Sequence, residues 1–180
     1  MEKRKPQRIT RTNPPPIDME RIKLTQGQYA LVDDEDFDEL NKYKWCAFWN
    51  KPTQSYYVVR KSRKSEGFKK QRLIFMHRQI MNVPVGLYTD HINHDTLDNR
   101  KENLRLCTAS QNHGNRQLNK NNTSGYKGVS WHKRDKRWRT AIRIGGKKKH
   151  LGHFKTKEEA MEAYNESAKL FFGEFARLNN

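Results

Sequence analysis

Residues 89–116 read TDHINHDTLDNRKENLRLCTASQNHGNR, and the reading of this stretch decides the fold. Asp90 offers a carboxylate, Asn112 an amide oxygen, and His91 an imidazole whose ordinary pKa of about 6.5 suits proton transfer. Carboxylate and amide oxygens favour a hard divalent cation over the softer metals that Cys and His select. The local pattern predicts how these groups meet. The segment 86–89 leads into a short strand ending at Asp90–His91, and residues 93–102 are too polar for a core. Leu104-Arg105-Leu106-Cys107 alternates like a second strand. Thr108 and Gln111 form a capping box, so a helix starts there with Asn112 in its first turns. Asn115 and Arg116 follow on the same side of that helix. The layout is strand, loop, strand, helix.

Any one Asn, Asp or His here suits an ordinary surface turn, and His94, Asp95, Asp98 and Asn99 are read as residues that hold the loop. The ordered set is more specific. Over residues 76–116 it resembles the HNH endonucleases, the ββα-metal nucleases. The resemblance implies that Asp90 is a metal ligand and His91 the base that activates water. It implies that Asn103 holds that base through loop hydrogen bonds, and that Asn112 is the final ligand, with His113 beside it as the less favoured alternative. One Mg2+ or Mn2+ per site is the cofactor so implied. His77 lies in a Met-His-Arg segment like that of the same nuclease branch, and packing is its expected role.

The composition points to a polyanionic partner. The net charge is +17, with hydrophobic residues at 33%, so small modules fit better than one large core. Cys46 and Cys107 lack CxxC spacing, which argues against a thiolate zinc cluster. The sequence has no apolar leader and no apolar run of membrane-spanning length, so a soluble cytoplasmic protein is expected.

Residues 1–16 read as a basic disordered arm ending in Pro14-Pro15-Pro16. Residues 17–116 combine a β-rich region with the 76–116 nuclease core. Strands are expected around Ile22–Leu24, Tyr29–Val32, Trp45–Trp49, Tyr56–Arg60 and Leu73–Met76, and a short helix from His77 to Met81. The acidic run Asp33–Glu39 reads as a surface turn or short helix. The basic hairpin Arg60–Arg72 could lie along a nucleic-acid backbone. Residues 117–124 form a polar linker.

Residues 125–178 suggest three strands and a helix. Turns fall at Asp135-Lys136 and Gly145-Gly146, and a second capping box joins Thr156 to Glu159. Ala160, Ala163, Tyr164, Ser167, Ala168, Phe171 and Phe175 recur at helical spacing. Period-two reading sends Thr140, Ile142 and Ile144 toward the helix and Arg139, Ala141 and Arg143 outward. Between Lys127 and Lys155 stand eleven Lys/Arg and one acid, Asp135, a balance suited to a ribbon in the major groove.

Tyr126-Lys127-Gly128-Val129, Trp138, Ile142-Arg143, Leu151-Gly152-His153-Phe154 and Glu158-Glu159-Ala160 followed by Ala163-Tyr164 resemble the AP2 DNA-binding domain. That resemblance places Lys127, Ser130, His132, Arg139, Arg143, Lys148 and His150 on or near the DNA side. Ser130, Ala141 and His150 depart from the residues usual there, so base preference does not transfer.

The expected fold class is α+β: a ββα-metal module after a small β-rich region, then an AP2-like three-stranded antiparallel sheet on one helix. The expected activity is metal-dependent hydrolysis of double-stranded DNA by a homing-type HNH endonuclease, acting as a monomer or weak dimer. The alternative is a DNA-binding protein whose HNH fold is inactive.

Overall fold

Hairpins and short helices build the N-terminal half of the computed structural model, which describes residues 19–118 and 121–180. The basic arm expected over residues 1–16 lies outside the described residues. Met19–Lys23 (β1) pairs antiparallel with Tyr29–Asp33 (β2), and Ile22, Ala30 and Val32 are buried. The acidic run is a helix, Asp34–Asn41 (α1). Asp34, Glu35 and Asp36 occupy its first turn, where they complement the helix dipole, and Leu40 is buried.

Cys46–Asn50 (β3), Ser55–Lys61 (β4) and Leu73–Phe75 (β5) form an antiparallel sheet in the order β3-β4-β5. Trp45 is buried beneath it and its indole N–H donates to Leu40 O at 2.8 Å, so the ring is buried with its polar atom satisfied. Val58, Ala47 and Met76 complete this core. The basic hairpin is only partly free for a partner. Arg60 is buried, bonds to Glu66 at 2.6 Å and to Gln79 at 2.9 Å, and stacks on Tyr43; Arg63 also stacks on Tyr43. Arg60 thus braces the hairpin from within and Arg63 ties it to Lys42 and Tyr43, while Lys61, Lys64, Lys69 and Lys70 are exposed.

Met76–Ile80 (α2) leads to the hairpin of Tyr88–His91 (β6) and Leu104–Cys107 (β7), followed by Ala109–Gly114 (α3). The Thr108 hydroxyl accepts from Gln111 N, and the Gln111 side chain accepts from Thr108 N, closing the capping box. The loop 92–103 is clamped to the N-terminal half. Leu31 N donates to Leu97 O at 2.9 Å, Asn99 N donates to Leu31 O at 2.8 Å, and Lys101 Nζ pairs with Glu35 and Asp36 of α1.

Val129–His132 (β8), Arg137–Ile144 (β9) and Lys147–Phe154 (β10) form an antiparallel sheet in the order β10-β9-β8, packed on Lys157–Phe172 (α4). Gly145 and Gly146, both at positive φ, make the two-residue turn between β9 and β10. The inward stripe of α4 is Ala160, Tyr164, Ala168 and Phe172. Phe172 rather than Phe171 holds the last inward position; Phe171 lies beneath the Lys149 ammonium at 4.9 Å.

Residues on both sides of the polar stretch 117–124 pack together. Cys107 of β7 shares a buried cluster with Ile142, Tyr164, Ala168, Phe172 and Phe175. The fold is thus α+β, with a ββα unit joined through a common core to a three-stranded sheet and its helix. No helix among the described residues is long and apolar enough to cross a membrane.

Candidate active site

Asp90 and His91 stand side by side at the end of β6. Alternation along the strand sends their side chains to opposite faces, and both are buried, at 8% and 5% exposure. Asp90 is directly opposite Arg105 in the β6–β7 register. Its Oδ2 accepts from Arg105 Nη2 at 2.9 Å, Arg105 Nε at 3.1 Å and Asn115 Nδ2 at 2.7 Å. Oδ1 lies outside these bonds. A ligating carboxylate is commonly held this way through its second oxygen.

His91 faces the other side, edge-on to Tyr57 and to His77, whose ring centroid is 5.0 Å away. Its Nε2 is buried without a hydrogen-bond partner. Burial pushes its pKa down to about 4, against the charges of Asp90 and Asp98, which favour the protonated ring. Burial likewise pushes His77 down to about 3, helped by His91 and Arg78. Both imidazoles are therefore neutral at pH 7. His77 Nδ1, Thr89 Oγ1 and both amide atoms of Asn99 are also buried without partners, so unsatisfied polar atoms collect in this part of the fold.

The loop that leaves His91 is fixed by Asn103. Its Oδ1 accepts from Asn93 N at 2.9 Å, and its Nδ2 donates to Asp98 O at 2.8 Å. Asp98 in turn forms a two-bond pair with Arg100, both bonds at 2.8 Å. Burial would raise the Asp98 pKa, but Arg100 and Asn93 bring it below the usual range. His94 adopts a left-handed backbone at φ 64°, and burial, then the charge of Arg177, lowers its pKa.

On α3, Asn112 is half-buried. His113 is exposed, and its Nδ1 lies 2.7 Å from Ala109 O of its own helix. The side chain that reaches Asp90 from this side is that of Asn115, the C-cap of α3. Arg105 and Asn115 are the two residues that the sequence reading did not place at the site. The cross-strand position of Arg105 follows only from the register, although an arginine opposite an acid is a favourable pair once that register is known. Asn115 stands three residues after Asn112 on the same helix side, which was a usable signal. Cys107, its thiol pushed up to about 11 by burial, is poorly suited to act as a nucleophile.

The donor chemistry fits a hard divalent cation: the Asp90 carboxylate has an oxygen outside the Arg105 and Asn115 bonds, the Asn112 amide is half-buried on α3, and the His91 imidazole is neutral with an orphaned nitrogen.

The outward face of the C-terminal sheet carries Ser130, His132, Arg139, Arg143, Lys148 and His150; Ser130↔Arg139, Arg143↔Lys148 and Ala141↔His150 are cross-strand partners. Thr140 and Ile142 point the other way, with the Thr140 hydroxyl donating to Ala160 O of α4 at 2.7 Å. Lys127 stands apart from this face. Its Nζ donates to Gly114 O at 2.5 Å, capping the C-terminal end of α3. Burial, then Arg177 and Arg116, pushes its pKa down to about 8. Arg116, Lys127 and Arg143 line a cleft between α3 and the sheet.

A strand pair followed by a short helix, with Asp-His at the end of the first strand and an Asn fixing the loop, defines a ββα nuclease-type unit. A family model described as HNH endonuclease matches residues 69–113. An uncharacterised HNH endonuclease, L560 of Acanthamoeba polyphaga mimivirus, is 30% identical over 156 residues, covering 86% of this chain and 76% of the viral protein. Protein 3.8 of Escherichia phage T7 is 36% identical over 96 residues, covering 53% of this chain and 78% of the phage protein. The chain belongs to the HNH endonuclease family.

Proposed function

We propose that the protein is a metal-dependent DNA endonuclease of the homing type, with an AP2-like C-terminal module that selects the site. The observation that carries the reading is the consecutive pair Asp90–His91 at the end of β6: a braced carboxylate, and a neutral imidazole with an unbonded Nε2. In this reading Asp90 and Asn112 hold one Mg2+ or Mn2+, with His113 as the less favoured ligand. The chemistry supplied by the bound cation is stabilisation of charge on the phosphate and on the leaving 3′ oxygen. His91 Nε2 accepts the proton of the attacking water, and Asn103 keeps the His91 loop in place. Arg105 and Asn115 orient Asp90 from behind.

Ser130, His132, Arg139, Arg143, Lys148 and His150 form the DNA-facing surface, supported by their shared face on the sheet. Lys127 serves the same interface indirectly, through the end of α3. One active site cuts one strand, so a double cut needs two copies or successive events.

A second reading has an observation in its favour. Asp90 is already paired with Arg105, and His91 is buried, an arrangement that also suits a DNA-binding protein with a closed, inactive nuclease site. A plasmid-nicking assay with Mg2+ or Mn2+ separates the two. Nicking that falls by about 10²–10⁴-fold in His91→Ala while duplex binding is retained supports the nuclease. Tight binding with no nicking under any divalent cation supports the inactive form.

A further inference from the structure

The C-terminal sheet gathers three potential ligands, His132, Asp135 and His153, of which the DNA-facing reading uses only His132. His132 Nδ1 lies 3.1 Å from Asp135 Oδ2, and His153 Nε2 lies 3.7 Å from the same oxygen. All three ligand atoms fall within 4.8 Å of one another. The His150 ring stacks beside His153 at 4.8 Å between centroids. Two of the chain's seven histidines thus flank Asp135, the one acid between Lys127 and Lys155, and His150 stacks on one of them.

Topology explains the convergence. His132 pairs with Arg137 and His153 with Arg139, so the two imidazoles rise from the edge strands β8 and β10 on the same face of β9. The β8–β9 turn folds Asp135 toward them. A simple His–Asp ion pair would aim a ring N–H at the carboxylate. Instead, His132 Nδ1 is shielded from solvent and makes no hydrogen bond, despite its closeness to Asp135. Donor atoms that converge without bonding each other suit a shared third atom. Metal–ligand distances near 2.05 Å in a tetrahedral site put ligand atoms about 3.3 Å apart, a spacing that falls between the two observed. Asp135 Oδ1 accepts from Arg134 Nε at 3.1 Å, which orients the carboxylate from outside. Two imidazoles and one carboxylate favour zinc and its neighbours over magnesium.

We propose that His132, Asp135 and His153 form a site for one transition-metal ion of the zinc class, separate from the nuclease centre, that fastens both edge strands to the β8–β9 turn. Arg139 and Lys148 lie on the same face and weaken the site by repulsion; DNA phosphates would relieve that repulsion, so metal and DNA should each strengthen the binding of the other.

The test uses the full chain carrying Asp90→Asn and His91→Ala, which removes the nuclease centre from the metal count. Equilibrium dialysis against zinc should find one bound equivalent, and Co2+ should give a visible absorption band that zinc abolishes. Adding His153→Gln or Asp135→Asn should remove the equivalent and the band, while adding Glu162→Gln on the exposed side of α4 should leave both. Zinc should raise the melting temperature of the parent by several degrees and leave the two ligand variants unchanged. Asp135→Asn is a conservative change in an exposed turn, so folding of that variant, checked by circular dichroism, keeps the comparison meaningful. No bound zinc in the parent, or an undiminished equivalent in both ligand variants, overturns the proposal.

Discussion

At Asp90 the bonds to Arg105 and Asn115 set both stability and chemistry. Asn115→Ala removes the shortest of three donors to a buried carboxylate. The expected loss is about 1.5–3 kcal/mol in urea unfolding, with nicking reduced and DNA affinity nearly unchanged. The two buried imidazoles make a second prediction. Unfolded, each titrates near 6.5; folded, His91 stays neutral until about 4 and His77 until about 3. Between those values the unfolded chain binds more protons. Stability is therefore full above pH 6.5 and falls as the pH drops, by up to about 1.4 kcal/mol per pH unit for each ring. Urea titrations between pH 7 and 4 measure that slope, and His77→Phe should lower it. A nicking rate that depends on neutral His91 should hold to below pH 6. The position of Asp90 and His91 at the end of β6, and the loop bonds of Asn103, could be read from residue type and order, because these groups lie within one local motif. The bonds of Arg105 and Asn115 to Asp90 were not legible there, because they depend on strand register and on how α3 lies across the hairpin.

The short helix α3 has only six residues, carries Asn112 and is capped at its C-terminal end by Asn115, so its ends matter. Thr108→Ala breaks the capping box and should cost about 1 kcal/mol. Gly114→Ala should cost more, about 1–3 kcal/mol by thermal melting, because the added carbon would stand 2.6 Å from Phe172 Cγ. Strands with clean alternation and helices with capping boxes were legible at this level: β4, β7, α3 and α4 all follow their local signals. The acidic run left turn and helix open, because its charge says little until its dipole position and its Lys101 partner are known. The choice between Phe171 and Phe172 depended on where α4 rests on the sheet, which periodicity near a helix end does not fix.

Across the whole molecule, charge and packing act together. A +17 chain will bind duplex DNA with strong salt dependence. If Arg143 and Lys148 neutralise phosphates, Arg143→Ala and Lys148→Ala should each flatten the plot of log affinity against log salt by about 1, roughly equally for any sequence. A change confined to particular base pairs would instead mark base contacts. Composition made the polyanionic partner legible, while the close union of the two halves was hidden, since the polar stretch 117–124 reads like a spacer. Cys107, Gly114 and Arg105 on one side meet Phe172, Phe175 and the Glu174 carbonyl on the other. Exchanging the C-terminal half for that of a relative would therefore be a transplant between fitted surfaces. A chimera joined at the polar stretch should fold poorly unless the incoming helix brings an aromatic ring to lie over Gly114 and a carbonyl to receive Arg105.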